Sequence, residues 1–301
     1  MNQSKSYPKV LSIAGSDSSG GAGIQADLKT FSALGVYGAT AITAITAQNT
    51  QGVNSQFALE PQMVYDQIAA VMDDIEPSVV KIGMLSNTAI VEAVAKALHD
   101  YKPSFIVLDP VIVSSTGHRL LSIEAQETIK EKLIPIADLL TPNIPEMKAL
   151  TDSSLSSLEE KKEAAQQLFK LGAKAILLKG GHEEGDMKTD VLFVSQQTTD
   201  NETTSRDASM TQNDKQDVVD TSIKMLLLSS PTIETKNTHG TGCTLSSAIA
   251  AFIARGLSLE DAISEAKNYV TEAIRAGADV KIGKGIGPVN HAFNPQKMIV
   301  L

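Results

Sequence analysis

Short apolar runs without polar alternation, each running into a polar or glycine-rich cluster, constrain this chain more than any other feature. Residues 10–14, 39–47, 79–82, 105–108, 139–140, 175–178 and 190–194 are of this kind. Such runs are the mark of strands covered on both faces, because a strand with one wet face would alternate. Helical periodicities fall between them: 24–34, closed by Gly35; 61–72, with Met63, Val64, Ile68 and Val71 on one face; 88–99; 122–133, stopped by Pro135; and 158–171, stopped by Gly172. Strand and helix in repetition predict an α/β fold of three layers, with a mainly parallel central sheet between helices. Ligands of such sheets bind beyond the carboxyl ends of the strands. The polar clusters lie at those ends: 15–23, 48–52, Gly83 with Met84, Asp109 with Pro110, 141–146 and 179–182.

Residues 195–222 break the pattern, being rich in Thr, Ser, Asp, Asn and Gln. They read as a solvated, flexible insertion between two strands, the second resuming at 223–228. Two helices follow, 245–255 and 259–276, with Ser258 as N-cap of the second. No internal repeat and no shift in composition marks a boundary, so residues 1–301 read as a single domain carrying an insertion.

Charge and composition exclude several classes of function. A net charge of −9 lacks the basic footprint of a nucleic-acid binder. Aromatics make up 4% of the chain and tryptophan is absent, which leaves no stacking platform for single strands. No apolar run is long enough to span a bilayer, and the polar first nine residues hold no signal-peptide core. One cysteine allows neither an internal disulfide nor zinc-finger spacing, and fits a reducing cytoplasm.

That cysteine stands in the run Asn237, Thr238, His239, Gly240, Thr241, Gly242, Cys243, Thr244, just before the helix at 245–255. Glycines let the backbone turn tightly, and the unpaired N–H groups of a helix's first turn form an anion site. A thiol at such a terminus is expected to have its pKa lowered. The stretch therefore reads as a phosphate cradle with a proton acceptor, or as a glycine loop capping a helix over an inert cysteine.

Other motifs admit similar paired readings. Gly21, Gly23 and Ala26 satisfy the dinucleotide pattern G-x-G-x-x-A, but no acid lies between Asp27 and Glu60 to hold a ribose. No G-x-x-x-x-G-K-[ST] and no G-x-S-x-G is present. His182 and His239 have no metal-ligand spacing and read as polar loop residues. Asp109 and Glu146 could position Mg²⁺, or serve as an Asx turn before Pro110 and a first-turn helix acid. Lys179 could neutralise a transferring phosphate or simply snorkel.

Seven segments in order, IAGSDSSGGAGIQADLKTFSALGVYG, AITAQNTQGV, KIGML, VLDPV, LLTPNIPE, LLKGGH and NTHGTGC, resemble the hydroxymethylpyrimidine phosphate kinases of the ribokinase-like superfamily. The similarity runs from about residue 9 to the C-terminal helices, apart from the insertion. It implies a ribokinase-like αβα sandwich and an ATP-dependent enzyme of thiamine biosynthesis. Its small-molecule substrate would be 4-amino-5-hydroxymethyl-2-methylpyrimidine and then the monophosphate, taken to the pyrophosphate. On this resemblance Gln48 reads the pyrimidine edge, while Gly15, Asp27, Met84 and Val111 line the same pocket. Gly240, Thr241, Gly242 and Cys243 form the anion hole, with Cys243 as base where most of the superfamily has aspartate. Asp109 and Glu146 organise Mg²⁺; Asn143, Lys179 and Thr238 attend the nucleotide. Enzymes of this kind are often homodimers, although no interface patch stands out in the sequence. The insertion is longer than the family leads one to expect, and Ser18 replaces a common proline. Pyridoxal kinases share the superfamily and a similar cysteine loop; Gln48 and the KGGH run favour the pyrimidine. A non-catalytic regulator on the same scaffold is the other rival, and the intact Cys243 loop argues against it.

Overall fold

The computed structural model describes residues 5–112, 120–181, 185–196 and 222–301. His182 and most of the polar stretch, 197–221, lie outside the described residues. The strands are β1 (Lys9–Asp17), β2 (Tyr37–Asn49), β3 (Gly52–Ala58), β4 (Val79–Ile82), β5 (Phe105–Leu108), β6 (Leu139–Leu140), β7 (Ala175–Leu178), β8 (Met187–Gln196) and β9 (Ser222–Pro231). The helices are α1 (Gly23–Ala33), α2 (Pro61–Asp74), α3 (Thr88–Tyr101), α4 (Ile123–Lys132), α5 (Ile144–Thr151), α6 (Leu158–Lys170), α7 (Thr241–Ala254) and α8 (Leu259–Gly277).

Among the described residues nine strands join one sheet in the order β3-β2-β1-β4-β5-β6-β7-β8-β9. From β2 through β7 neighbours pair in parallel. The edges are antiparallel: β3 on β2, and β8 on β7 with β9 beyond it. The mainly parallel three-layer architecture is therefore as the sequence leads one to expect. The reading missed β3, because its residues are mostly exposed and carry no apolar run. It also cut β2 short, since the strand continues through polar Gln48 and Asn49 before the hairpin turns.

Each face of the sheet buries its own cluster. On one side Val64 and Ile68 of α2, Ile90 and Val94 of α3, Ile129 of α4 and Leu168 of α6 pack against Leu11, Ile13 and Ile82. On the other, Phe31 of α1, Leu245 and Ile249 of α7 and Ile263 of α8 pack against Val10, Val107 and Leu177. Thr244 to Phe252 are all buried, so α7 is enclosed rather than amphipathic. A buried side chain of this size contributes roughly 1.5–3 kcal/mol, and truncating fully buried Ile249 to Ala would cost about 2–5 kcal/mol. This burial fixes the start of α7 against the sheet.

Candidate active site

The parallel strands deliver polar side chains to one cavity of about 680 Å³. Gly15, Ser16 and Asp17 come from the end of β1, Gln48 from β2, and Lys81 and Met84 from β4 and the turn after it. Asp109 and Val111 follow β5, Asn143 and Glu146 open α5, and Lys179 follows β7. Thr238 to Cys243 close the ring at the start of α7. Of the site residues that the family resemblance implies, Asp27 alone does not line the cavity. It lies beneath the floor, fully buried, which corrects its reading as a pocket residue. Its carboxylate takes hydrogen bonds from Lys81 at 2.9 and 3.0 Å, Ser12 at 2.5 Å and Ser247 at 2.6 Å. A polar residue on the inner face of α1 is thus committed to a buried ammonium rather than to a ligand.

Helix α7 begins on Gly240, whose φ of 81° belongs to the left-handed region, and no side chain caps it. A Cβ at Gly240 would also run into the Gly21 carbonyl, so the anion loop and the glycine turn before α1 interlock. The uncapped N–H groups and the positive end of the helix face the cavity. Lys179 closes in from the opposite side, its Nζ 3.3 Å from where a Cβ on Gly242 would stand.

Lys179 Nζ lies 2.7 Å from Asp109 Oδ1 and 3.7 Å from Glu146 Oε2. Asp109 also accepts from Thr141 and Ser246, each at 3.1 Å. Burial pushes Asp109 up, but Lys179 and Lys81 outweigh it and hold the carboxyl below its ordinary range. Burial pushes Lys179 down, and Asp109 and Glu146 keep it above the usual range. Burial raises Glu146 to about 7, with the Asp109 charge adding to it and Lys179 opposing. Glu146 and Asn143 also complete a capping box on α5, at 2.7 and 2.8 Å, so the helix-acid reading of Glu146 is met.

Among the described residues no three His, Cys, Asp or Glu side chains gather as a metal cage. Two carboxylates sharing one lysine fit a different arrangement. Mg²⁺ keeps much of its water and takes one or two carboxylates plus substrate phosphates, and the donors of Asp109 and Glu146 suit that use.

The thiol behaves against expectation. Burial pushes Cys243 up to about 11; Lys81 and the Gly23 N–H oppose this, while Asp27 and Asp109 add to it. Cys243 keeps some surface on the cavity, but the packed protein and two carboxylates behind it outweigh the helix terminus. The lowered pKa expected from the sequence is therefore overturned.

Sequence reasoning also missed three residues. Lys81, inside an apolar strand, is wholly buried. Asp17 accepts from Ser19 N and Oγ, Gly21 N and Ala22 N at 2.7–3.1 Å, and lies 2.8 Å from His239 Nε2. Burial pushes Asp17 up, yet the His239 and Ser19 hydrogen bonds win and hold it at about 2. His239, read as a polar loop residue, is 6% exposed and lines the cavity beside Gln48. The Asp-Ser-Ser-Gly run was a signal for an Asx-type turn; nothing in the spacing pointed to His239.

Comparison with known proteins agrees with this geometry. The family model for phosphomethylpyrimidine kinase matches residues 17–213 and 204–290. The hydroxymethylpyrimidine/phosphomethylpyrimidine kinase of Bacillus subtilis is 43% identical over 284 residues, covering 94% of each chain. A thiamine biosynthesis bifunctional protein of Geobacter sulfurreducens is 44% identical over 96% of this chain, which spans only 54% of that longer relative. Among solved structures, the phosphomethylpyrimidine kinase of Clostridium difficile is 40% identical, with a TM-score of 0.69, covering 88% of this chain and 99% of that one. The pyridoxal kinase of Staphylococcus aureus, in complex with AMP-PCP and pyridoxal, is 30% identical with a TM-score of 0.79 over 95% and 94% of the two chains. Backbone likeness thus spans both substrate classes, while sequence identity is higher to the pyrimidine kinases. On family match and fold together, this chain belongs to the phosphomethylpyrimidine kinase family, with a ribokinase-like fold.

Proposed function

We propose that the cavity transfers the γ-phosphoryl group of ATP to the hydroxymethyl group of 4-amino-5-hydroxymethyl-2-methylpyrimidine, and a second one to the resulting monophosphate. This is the reaction of a hydroxymethylpyrimidine/phosphomethylpyrimidine kinase, serving thiamine biosynthesis. One observation carries the reading: an uncapped helix N-terminus and Lys179 converge on the cavity that also holds the Gln48 amide. The first two suit a transferring phosphate, and the amide suits an aminopyrimidine edge, being both donor and acceptor. Gly15, Met84 and Val111 supply the rest of the ring's pocket, and Thr238 and Asn143 lie toward the nucleotide.

Phosphoryl transfer passes through a loose transition state with charge on the equatorial oxygens, so positioning and electrostatics carry most of the rate. The N–H groups of Gly242 and Cys243 with the Lys179 ammonium meet that charge. Mg²⁺, when bound near Asp109 and Glu146, would neutralise phosphate charge. With its thiol up at about 11, Cys243 is neutral at pH 7 in the free protein. It holds the substrate hydroxyl in line, and the hydroxyl proton leaves late, onto an oxygen of the transferred group. The anion hole, rather than a thiolate base, is then the main catalytic element. Among the described residues no helix is long and apolar enough to cross a membrane; a cytoplasmic location and a single kinase domain belong to the same proposal.

Phosphorus NMR on the purified chain with the pyrimidine, ATP and Mg²⁺ tests this reading. A phosphomonoester resonance should grow first and give way to a pyrophosphate pair. Build-up of the monoester alone would remove the second transfer, and ATP left intact would remove the kinase reading.

A further inference from the structure

The Gln48 amide lies between two neighbours whose hydrogens are already assigned by chemistry. Its Oε1 is 3.2 Å from Thr46 Oγ1, and its Nε2 is 3.4 Å from His239 Nε2. Thr46 has one hydroxyl proton, and it goes to the Ser16 carbonyl at 2.8 Å. That hydroxyl can only accept from Gln48, so the amide group facing it has to be the NH₂. On the other side, His239 Nε2 sits 2.8 Å from Asp17 Oδ2. Asp17 takes three N–H groups and a hydroxyl besides, which marks it as an ionised carboxylate. A bare ring nitrogen there would set lone pair against lone pair, so Nε2 carries the proton. With its one proton given to Asp17, that nitrogen turns no lone pair toward Gln48, so an NH₂ there would find no acceptor and the carbonyl oxygen is the group that fits. Both constraints, from separate strands and loops, demand the same half-turn of the amide, a degree of freedom fixed by hydrogen bonding and not by shape.

We propose that Asp17 and His239, together with Thr46, are specificity-determining positioning residues that hold the Gln48 amide with its NH₂ toward Thr46 and its carbonyl toward His239. The inference rests on Gln48 reading the pyrimidine edge. In this orientation the second amide proton and the second carbonyl lone pair are left for the ring: the carbonyl takes the 4-amino N–H and the NH₂ meets ring N3. The 5-hydroxymethyl group is next to the 4-amino group, so the polarity of the amide also decides on which side the reacting hydroxyl lies. A 4-oxo analogue presents the reverse pattern, acceptor at C4 and donor at N3. Only a turned-over amide, or a turned-over ring with its hydroxyl misplaced, would accommodate it.

The test is the ratio of kcat/KM for the 4-amino substrate to that for its 4-oxo analogue, in the wild type, His239→Leu, Asp17→Asn and Thr46→Val. His239 adjoins the anion loop, so turnover of both substrates can drop; the ratio is insensitive to that loss. The ratio should fall at least tenfold in His239→Leu and Asp17→Asn, chiefly through KM, and by less in Thr46→Val. Ratios within twofold of wild type in all three would overturn the inference. A second readout is independent of substrate: nitrogen NMR of the ligand-free protein at pH 7.5 should show the His239 proton on Nε2, and Asp17→Asn should weaken that preference. A His239 protonated on Nδ1 alone would overturn the proposal whatever the kinetics. A wild type that shows the Nε2 proton but phosphorylates neither pyrimidine would leave the amide orientation supported and remove the proposed function instead.

Discussion

Lys81 with Asp27 and Lys179 with Asp109 are ion pairs of similar length, 2.9 and 2.7 Å, both tied to the middle of α7 by consecutive serines. Ser247 donates to Asp27 and Ser246 to Asp109. The first pair has no exposed side-chain surface at all, and both oxygens of Asp27 are taken by Lys81. The second retains 11% exposure on the lysine and shares it with a second acid, Glu146. The difference follows from position along the strand. Lys81 lies within β4 and its ammonium turns inward under α1 and α7. Lys179 lies one residue beyond β7 and opens on the cavity. Identical chemistry thus becomes a closed support in one place and, in the other, a group open to the cavity, where the proposed function puts a phosphate. Taking a pair out of water is repaid only when every partner is present, so the closed pair should govern folding and the open pair turnover.

The largest expected effect falls on the closed pair. Lys81→Met leaves the Asp27 carboxylate buried without its cation and should cost about 3–5 kcal/mol in denaturant unfolding. Adding Asp27→Asn should return much of that loss; no recovery in the double variant would mean that Lys81 acts mainly by packing. Lys179→Met should lower kcat by about 10²–10³-fold, the usual effect of removing one donor from an anion hole. Its unfolding midpoint should move much less, because Glu146, already raised to about 7, can take up a proton when the cation is gone. A stability loss equal to that of Lys81→Met would erase the distinction between the two pairs.

Cys243 stands between the pairs and sharpens the comparison. With its thiol at about 11, the thiolate fraction and hence the rate of iodoacetamide alkylation should climb tenfold per pH unit from 7 to 10, with no plateau. A plateau near pH 7 would restore the thiolate base. Cys243→Ala should cut kcat by roughly tenfold, less than Lys179→Met, since electrostatics carries the transfer. The smallest change is expected at Asn143→Ala, which loses the α5 cap for about 1 kcal/mol, measured by thermal unfolding.

The fold was legible because its strands are doubly buried, and the cavity because polar clusters fall at the strand ends. Lys179 and the loop 240–243 stood out by residue type and place, and Gln48 only through the family resemblance; all of them line the cavity. Other parts of the site were not readable, for identifiable reasons. His239 meets Asp17 across 222 positions, and an isolated histidine carries no spacing to reveal such a partner. Lys81 was hidden in a run read only for its apolar neighbours, although a lysine inside a buried strand demands a buried acid. That acid is Asp27, which family likeness had placed in the pocket. For Cys243 a nearby helix N-terminus was expected, although α7 starts at Thr241, four residues earlier than read; the amount of burial and the two carboxylates nearby become known only in three dimensions.

The measurement that bears most directly on the whole account is a competition for turnover between hydroxymethylpyrimidine and pyridoxal with ATP and Mg²⁺. Both are flat rings bearing a hydroxymethyl group, and solved kinases of both classes share this backbone. The account predicts a kcat/KM for the pyrimidine at least about a hundredfold higher, since a mismatched hydrogen-bonding edge is strongly rejected. In Gln48→Leu that preference should collapse. Equal or faster turnover of pyridoxal by the wild type would contradict the claim that Gln48 and its neighbours select the ring.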